Sequence, residues 1–124
     1  MLQKQVIISI FLMLLLIDSI SAYNVKFMFP FSEKEKVYFN NRINAINQSY
    51  YDGLKTIYIY QPKKTRFWWG GYFTPYANTI QIQDNDRFDY VLRHELAHFN
   101  CFKREKKWTL NNQFHLGCFK KICK

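Results

Sequence analysis

Histidine and cysteine are scarce in this chain, which has three of each among its 124 residues. No two cysteines show the C-x-x-C spacing by which structural zinc sites are recognised, because the closest pair, Cys118 and Cys123, is five residues apart. The spacing therefore argues against a closed structural metal site. A site in which Cys101, Cys118 and Cys123 join one histidine stays open as an alternative.

Acidic residues are also few. Nine Asp and Glu stand against 18 Lys and Arg, and the net charge is +9. A basic surface suits nucleic acid, an anionic lipid or cell-wall polymer, or acidic substrates. The lysine and arginine clusters at residues 63–66 and 103–107 are more often simply solvated faces, so charge alone leaves the partner open.

The apolar run near the N-terminus is too short to be a comfortable membrane span. Residues 1–4 are basic, residues 6–17 are nearly all apolar, and small residues follow at Ser19, Ser21 and Ala22. This layout is typical of a secretory signal. We expect a signal peptide over residues 1–22 and a secreted or extracytoplasmic protein, with an uncleaved N-terminal membrane anchor as the alternative. An exported protein rarely meets chromatin, which makes a nucleic-acid partner unlikely.

The remaining residues, 23–124, have room for a single domain, and no repeat or linker divides them. Ser32 and Glu35 form a capping-box pattern that predicts the start of a helix. Its apolar stripe would be Phe39, Ile43, Ile46 and Tyr50, and the helix should end before Gly53. Alternation predicts strands over residues 54–61 and 78–83, with a basic loop at 63–66 and a strand start at 67–69 between them.

The most informative stretch reads H-E-x-x-H, formed by His94, Glu95 and His98 with two residues between the last two. A helix turns about 100° per residue, so the two histidines lie on one face, one turn apart. Two imidazoles placed in this way can reach one zinc ion, with the glutamate beside them as a general base for a water. The alternative is a pair of exposed or half-buried histidines without a metal on an amphipathic helix.

The residues around this motif divide the expected helix into three faces. Apolar residues occupy one continuous arc suited to a core: Phe88, Leu92, Leu96 and Phe99. Polar residues occupy a second, solvent-facing arc: Asp89, Arg93, Asn100 and Arg104. The motif occupies the third. Asp84 or Asp86 is expected to cap the first turn of this helix.

A catalytic zinc usually takes three protein ligands, and the downstream candidates are Glu105, His115 and the cysteines. If the helix continues, Glu105 lies about 10.5 Å beyond His98, which is too far for one ion. The extended form H-E-x-x-H-x-x-G-x-x-H is excluded, because Cys101 and Arg104 stand where it needs glycine and histidine. His115 is favoured, since a three-histidine site would use every histidine in the chain.

Residues 71–82, followed by 91–98, resemble the strand and active-site helix of the zincin metallopeptidases. Residues 115–121 resemble the third-ligand segment of small SprT-like zincins. In that comparison His115 matches the ligand and Phe119 the packing aromatic, while Leu116 stands where glycine is usual. The resemblance implies a peptide substrate added along an edge strand, from Asn78 to Gln83.

The resemblance implies an α+β fold, a compact zincin core. We expect an N-terminal helix, a small, mostly antiparallel sheet of about three strands, the active-site helix and a short C-terminal helix. Together with the signal segment, the resemblance implies an exported endopeptidase with Zn2+ on His94, His98 and His115 and Glu95 as its base, and we expect a monomer. Tyr72, Tyr76 or a nearby arginine could assist the oxyanion. The alternatives are a secreted basic binding protein with a structural metal, and a nucleic-acid-associated SprT-like peptidase.

Three cysteines in an exported chain suggest one disulfide and one spare thiol. Three pairings are possible. A bond from Cys101 to the C-terminal segment would hold the segment that carries His115 against the active-site helix.

Overall fold

A computed structural model of the protein describes residues 23–61, 70–84 and 86–123. Along these ranges the elements are β1 (Asn24–Phe27), α1 (Glu33–Asn44), a 3₁₀ turn (Gln48–Tyr51), β2 (Thr56–Tyr60), β3 (Gly71–Thr74), β4 (Thr79–Gln83), α2 (Phe88–Glu105), α3 (Leu110–Gln113) and α4 (Cys118–Ile122). The expected α+β class is confirmed. The expected signal peptide, the basic loop at 63–66 and the strand start at 67–69 lie outside the described residues. Within those residues, no helix has the length and apolar character to cross a membrane.

The sheet differs from the expected one. It has four strands in the described ranges, in the order β1-β2-β4-β3. β1 pairs with β2 and β2 with β4 in parallel, and only β3 and β4 are antiparallel. The expectation of a mostly antiparallel sheet of about three strands was therefore wrong. Strand order depends on which segments meet across the fold, and the alternation within each strand carries no information on this.

One face of the sheet is packed into the core. The alternating isoleucines of β2 and β4 have no exposed surface: Ile57, Ile59, Ile80 and Ile82. They belong to one buried cluster with the predicted core face of α2, namely Phe88, Leu92, Leu96 and Phe99. Burial of each such side chain contributes about 1.5–3 kcal/mol. The core therefore fixes the rotation of α2 about its axis and leaves its motif face turned away from the isoleucines.

Helix α1 begins with the predicted capping box. The backbone N–H of Glu35 donates to Ser32 Oγ at 3.1 Å, and the N–H of Ser32 donates to Glu35 Oε1 at 3.0 Å. The helix ends earlier than its stripe suggests, at Asn44, and the chain then forms the 3₁₀ turn. As a result Tyr50 is 41% exposed, and Tyr51 is buried in its place with its hydroxyl donating to the carbonyl of Ile43 at 2.8 Å.

Helix α2 starts without the predicted acidic cap. Its N-cap residue is Arg87, with no side-chain hydrogen bond to the first turn, so neither Asp84 nor Asp86 caps it. The helix runs unbroken to Glu105 and ends at Lys106 in a left-handed conformation, with φ of 61°. α2 therefore carries the whole H-E-x-x-H motif in its interior.

Candidate metal centre

The fold brings all three histidines of the chain together. Helix α2 presents His94 and His98 one turn apart, and His115 reaches them from the turn between α3 and α4. One ring nitrogen from each lies within 4.8 Å of the other two. The ring centroids form a nearly equilateral triangle with sides of 4.9, 5.0 and 5.0 Å. Three imidazoles in this arrangement are a donor set that zinc favours.

His115 enters the site through an unusual backbone conformation. Its φ is 62°, in the left-handed region that only a few per cent of non-glycine residues adopt. Its N–H donates to the carbonyl of Asn112 at 3.2 Å, and the N–H of Leu116 donates to the carbonyl of Asn111 at 2.7 Å. These bonds close a tight turn after α3 and aim the His115 side chain back toward α2.

A buried asparagine orients His98. Asn112 is fully buried, and its Nδ2 donates to the His98 carbonyl at 3.0 Å. Its Oδ1 therefore faces the imidazole, 2.7 Å from Nδ1 of His98. Because that oxygen can only accept, Nδ1 carries the proton and Nε2 keeps the lone pair that a metal needs. Thr109 holds Asn112 in turn, with its Oγ1 accepting from the Asn112 N–H at 3.1 Å.

Phe119 lies against all three histidines. Its ring centroid is 4.9 Å from that of His94, 4.4 Å from that of His98 and 4.6 Å from that of His115. The Cys101–Cys118 disulfide ties the residue before it to α2, with the two Cα atoms 5.8 Å apart. It is one of the three pairings that the sequence left open, and it holds the C-terminal segment against the helix. Cys123 is the free cysteine among the described residues.

Burial keeps two of the histidines neutral at neutral pH. Loss of hydration lowers the pKa of His98 to about 4, opposed in part by its hydrogen bond to Asn112. Loss of hydration also lowers the pKa of His94, and the nearby His115 lowers it further. A neutral imidazole is the form that binds a metal, so the environment favours the ligand form of both.

Glu95 lies beside the histidine cluster. It is 5% exposed, and burial raises the pKa of its carboxyl group to about 7. The backbone N–H of Phe73, in β3, donates to this carboxylate and opposes the shift. The hydrogen bond joins the general-base candidate to the strand that borders the site.

The site opens into a cleft of about 740 Å3. Its lining includes the three histidines and Glu95 together with Tyr72, Phe73, Arg87, Tyr90, Val91, Trp108 and Gln113. A smaller pocket of about 200 Å3 lies elsewhere, beside Cys123, and none of the three histidines lines it. Of these two pockets, the larger one combines three imidazoles that could bind a metal, a carboxylate, and enough space for a short peptide segment.

The strand expected to receive the substrate is not at the sheet edge. β4 is paired on both sides, by β2 and by β3, so its backbone has no open side between Thr79 and Gln83. The expectation that the strand from Asn78 to Gln83 lies at a sheet edge was therefore wrong. In the part of the chain that the structure describes, the sheet edge next to the cleft is β3, and its residues Tyr72 and Phe73 line the cleft.

Gly71 allows β3 to lie close to its neighbours. A Cβ atom at this position would stand 2.5 Å from the carbonyl oxygen of Gln81 and 2.8 Å from Cγ1 of Val91. Any side chain here would push the edge strand away from β4 and from α2. The glycine thus sets the distance between β3 and helix α2.

The other ligand candidates lie away from the histidines. Glu105 groups with Cys101 and Cys118, not with the histidine cluster, as expected for a helix that continues past His98. The disulfide occupies two of the three cysteines, which removes the alternative of a site made by all three with a histidine. Of the oxyanion candidates, Tyr72 and Arg87 line the cleft, whereas Tyr76 is 71% exposed and packs on Phe102.

Sequence reasoning missed three residues of the site. Asn112 gives no signal, because its partner His98 is 14 residues away and the contact exists only after the chain reverses. Trp108, whose ring lies 5.6 Å from that of His98, and Tyr90, 6.0 Å from His94, were not predicted to line the cleft either. The position of Tyr90 one turn before His94 was a usable signal, since residues four apart share a helix face.

Comparison with models of protein families, with curated proteins and with solved structures gave no match to this chain.

Proposed function

We propose that the protein is an exported zinc-dependent endopeptidase of the zincin type, in which Glu95 acts as the general base. The observation that carries this proposal is the convergence of three imidazoles and a buried carboxylate in one cleft. The H-E-x-x-H order of His94, Glu95 and His98 supports the same chemistry.

His94, His98 and His115 would hold the metal. Their fit rests on the mutual distance of the donors and on the Asn112 contact that leaves Nε2 of His98 unprotonated. When bound, zinc supplies a Lewis acid that polarises the peptide carbonyl and lowers the pKa of water. Phe119 covers one side of the three rings and limits the access of solvent there.

Glu95 moves the proton in this proposal. Its carboxylate takes a proton from the water that attacks the scissile carbonyl carbon and passes it to the nitrogen of the leaving amine. The Phe73 N–H holds the carboxylate in place during both transfers. General base catalysis of this kind contributes roughly 10²–10⁴-fold to a rate.

In this proposal the substrate backbone binds along strand β3 as an added strand. The N–H of Gln83 donates to the carbonyl of Gly70, so in this antiparallel pair the backbone groups of Tyr72 also face β4. Because this direction alternates along a strand, the backbone N–H and C=O groups of Gly71 and Phe73 point away from β4. The Phe73 N–H donates to the Glu95 carboxylate on that side. An extended peptide added to this side would run past the carboxylate and the histidines.

The decisive experiment compares Glu95→Gln with Glu105→Gln. Both variants should keep one zinc per chain, measured by metal analysis of the purified protein. Digestion of a broad peptide library should be lost in Glu95→Gln and kept in Glu105→Gln. Cleavage at the wild-type rate by Glu95→Gln would refute the mechanism. Metal binding with no cleavage by the wild type would favour the secreted binding protein instead. Sequencing the N-terminus of the mature protein tests export separately.

A further inference from the structure

A patch of apolar side chains is exposed next to the cleft. Within the described residues, five large side chains that lack oxygen and nitrogen are strongly exposed, and three of them fall between residues 110 and 116. They are Leu110, Phe114 and Leu116, with exposed fractions of 70%, 62% and 51%. We refer to these three residues as the terminal patch. A soluble surface rarely gathers such residues without a binding partner.

The exposure of this patch follows from the way α3 is anchored. Asn112 turns inward to His98 and is fully buried. Leu110 and Phe114 lie two residues to either side, about 200° away around the helix, and therefore point outward. The Phe114 N–H donates to the Leu110 carbonyl at 2.9 Å, which places the two side chains one turn apart on the same face. Maintaining the His98 contact thus forces the apolar face into solvent.

Lysines flank the terminal patch on both sides in the sequence, and the acidic residue that precedes them, Glu105, lies near Cys118. Residues 106–123 contain no Asp or Glu, and the lysine pairs 106–107 and 120–121 are all exposed. The ion pairs among the described residues, Lys36 with Glu33 and Arg42 with Asp89, both lie outside this segment. Segments that expose apolar side chains between lysines insert into the headgroup region of anionic bilayers.

We propose that the terminal patch and its flanking lysines dock the protein on an anionic lipid membrane. The apolar side chains would enter the interface, and the lysines would pair with lipid phosphates. His115 lies between Phe114 and Leu116, so docking brings the opening of the metal site to the membrane surface. The polypeptide segments closest to the lipid would then be the nearest substrates. Membrane docking itself does not depend on the peptidase proposal, whereas the statement about substrates rests on it.

The test is co-sedimentation of the zinc-loaded protein with vesicles of phosphatidylcholine alone or of phosphatidylcholine mixed with phosphatidylglycerol. Binding should require phosphatidylglycerol and should fall as salt is raised. Phe114→Ser combined with Leu116→Ser should weaken it by about tenfold per side chain. Lys120→Gln combined with Lys121→Gln should weaken it by about fivefold per lysine.

The matched control is Met28→Ser combined with Val37→Ser, the other two exposed side chains of the same kind, which should bind like the wild type. Retention of zinc and an unchanged thermal midpoint would show that each variant is folded. Absence of binding to the anionic vesicles would overturn the proposal. Equal binding to both vesicle types would also overturn it, as would binding that the Phe114 and Leu116 variant leaves unchanged.

Discussion

Oδ1 of Asn112 lies 2.7 Å from Nδ1 of His98, and both residues are buried. The contact joins a four-residue helix to the middle of the longest helix in the described structure. It fixes the tautomer of His98 and, through the turn that follows α3, the direction from which His115 approaches. A single amide therefore supports two of the three candidate ligands.

Asn112→Ala should lower the affinity for zinc by about 10–100-fold, because His98 loses the acceptor that orients its ring. Asn112→Asp keeps an acceptor and should recover most of the affinity. The matched control is Asn111→Ala, an exposed neighbour for which only the backbone carbonyl is used. Competition with a chromophoric chelator measures each affinity. Equal affinities for the two alanine variants would show that Asn112 does not support the site.

His115→Ala should reduce zinc affinity by orders of magnitude, since two imidazoles remain. Glu105→Ala should leave affinity unchanged, because Glu105 lies with Cys101 and Cys118 instead of with the histidines. Both variants are compared by metal analysis after dialysis against a weak chelator. The opposite pattern, with zinc lost only in Glu105→Ala, would contradict the assignment of His115.

Removal of the disulfide should destabilise the protein. In the loop-entropy account, a bond that spans 17 residues contributes about 3 kcal/mol to the free energy of unfolding. Cys101→Ala with Cys118→Ala should therefore lower the urea midpoint and, by loosening α4 and Phe119, also weaken zinc binding. Cys123→Ala serves as the control because its thiol is free. A double variant with the midpoint and affinity of the control would show that the bond is dispensable.

The capping box of α1 should give a measurable pH dependence. The backbone N–H of Ser32, and then its side chain, hold the pKa of Glu35 below the ordinary value of 4.5. A carboxyl group with a lowered folded-state pKa stabilises the fold above its unfolded-state pKa, and this contribution disappears as the pH falls through the folded-state value. The urea midpoint of wild type should exceed that of Glu35→Gln at neutral pH.

The gap between these two midpoints should narrow as the pH falls below 4.5 and close once Glu35 is protonated in the folded state, since glutamine keeps a hydrogen-bonding side chain but does not titrate. Glu33→Gln, which changes one exposed ion pair with Lys36, should alter the neutral-pH midpoint less. A gap that stays constant across the range would show that the charge of Glu35 contributes nothing.

Local patterns in the sequence were sufficient for the helix that carries the motif and for its faces. Phe88, Leu92, Leu96 and Phe99 are buried as the 3.6-residue periodicity requires, while Asp89 and Arg93 face solvent. The same periodicity placed His94 and His98 side by side. The capping box at Ser32 was equally readable, because its two hydrogen bonds join residues only three apart.

The sequence patterns predicted the wrong helix boundaries where the same residues are compatible with more than one local structure. The stripe ending at Tyr50 is compatible with a longer helix, yet the chain leaves the helix at Asn44 and buries Tyr51. Acidic residues before α2 suggested a cap, but the helix begins at Phe88 without one. For α1, the burial of Tyr51 outweighs continuation of the helix to Tyr50.

The chemistry of the candidate site can be read from the sequence alone, because the three histidines and Glu95 are the groups that can act there and two of the candidate ligands are one helical turn apart. Four features depend on the folded chain: His115 completes the cluster, Asn112 orients His98, Cys101 pairs with Cys118, and β3 instead of β4 forms the sheet edge among the described residues. The physical reason is the range of the interactions. Helical periodicity acts over four residues, whereas strand order and a contact across a chain reversal depend on how distant apolar surfaces pack together.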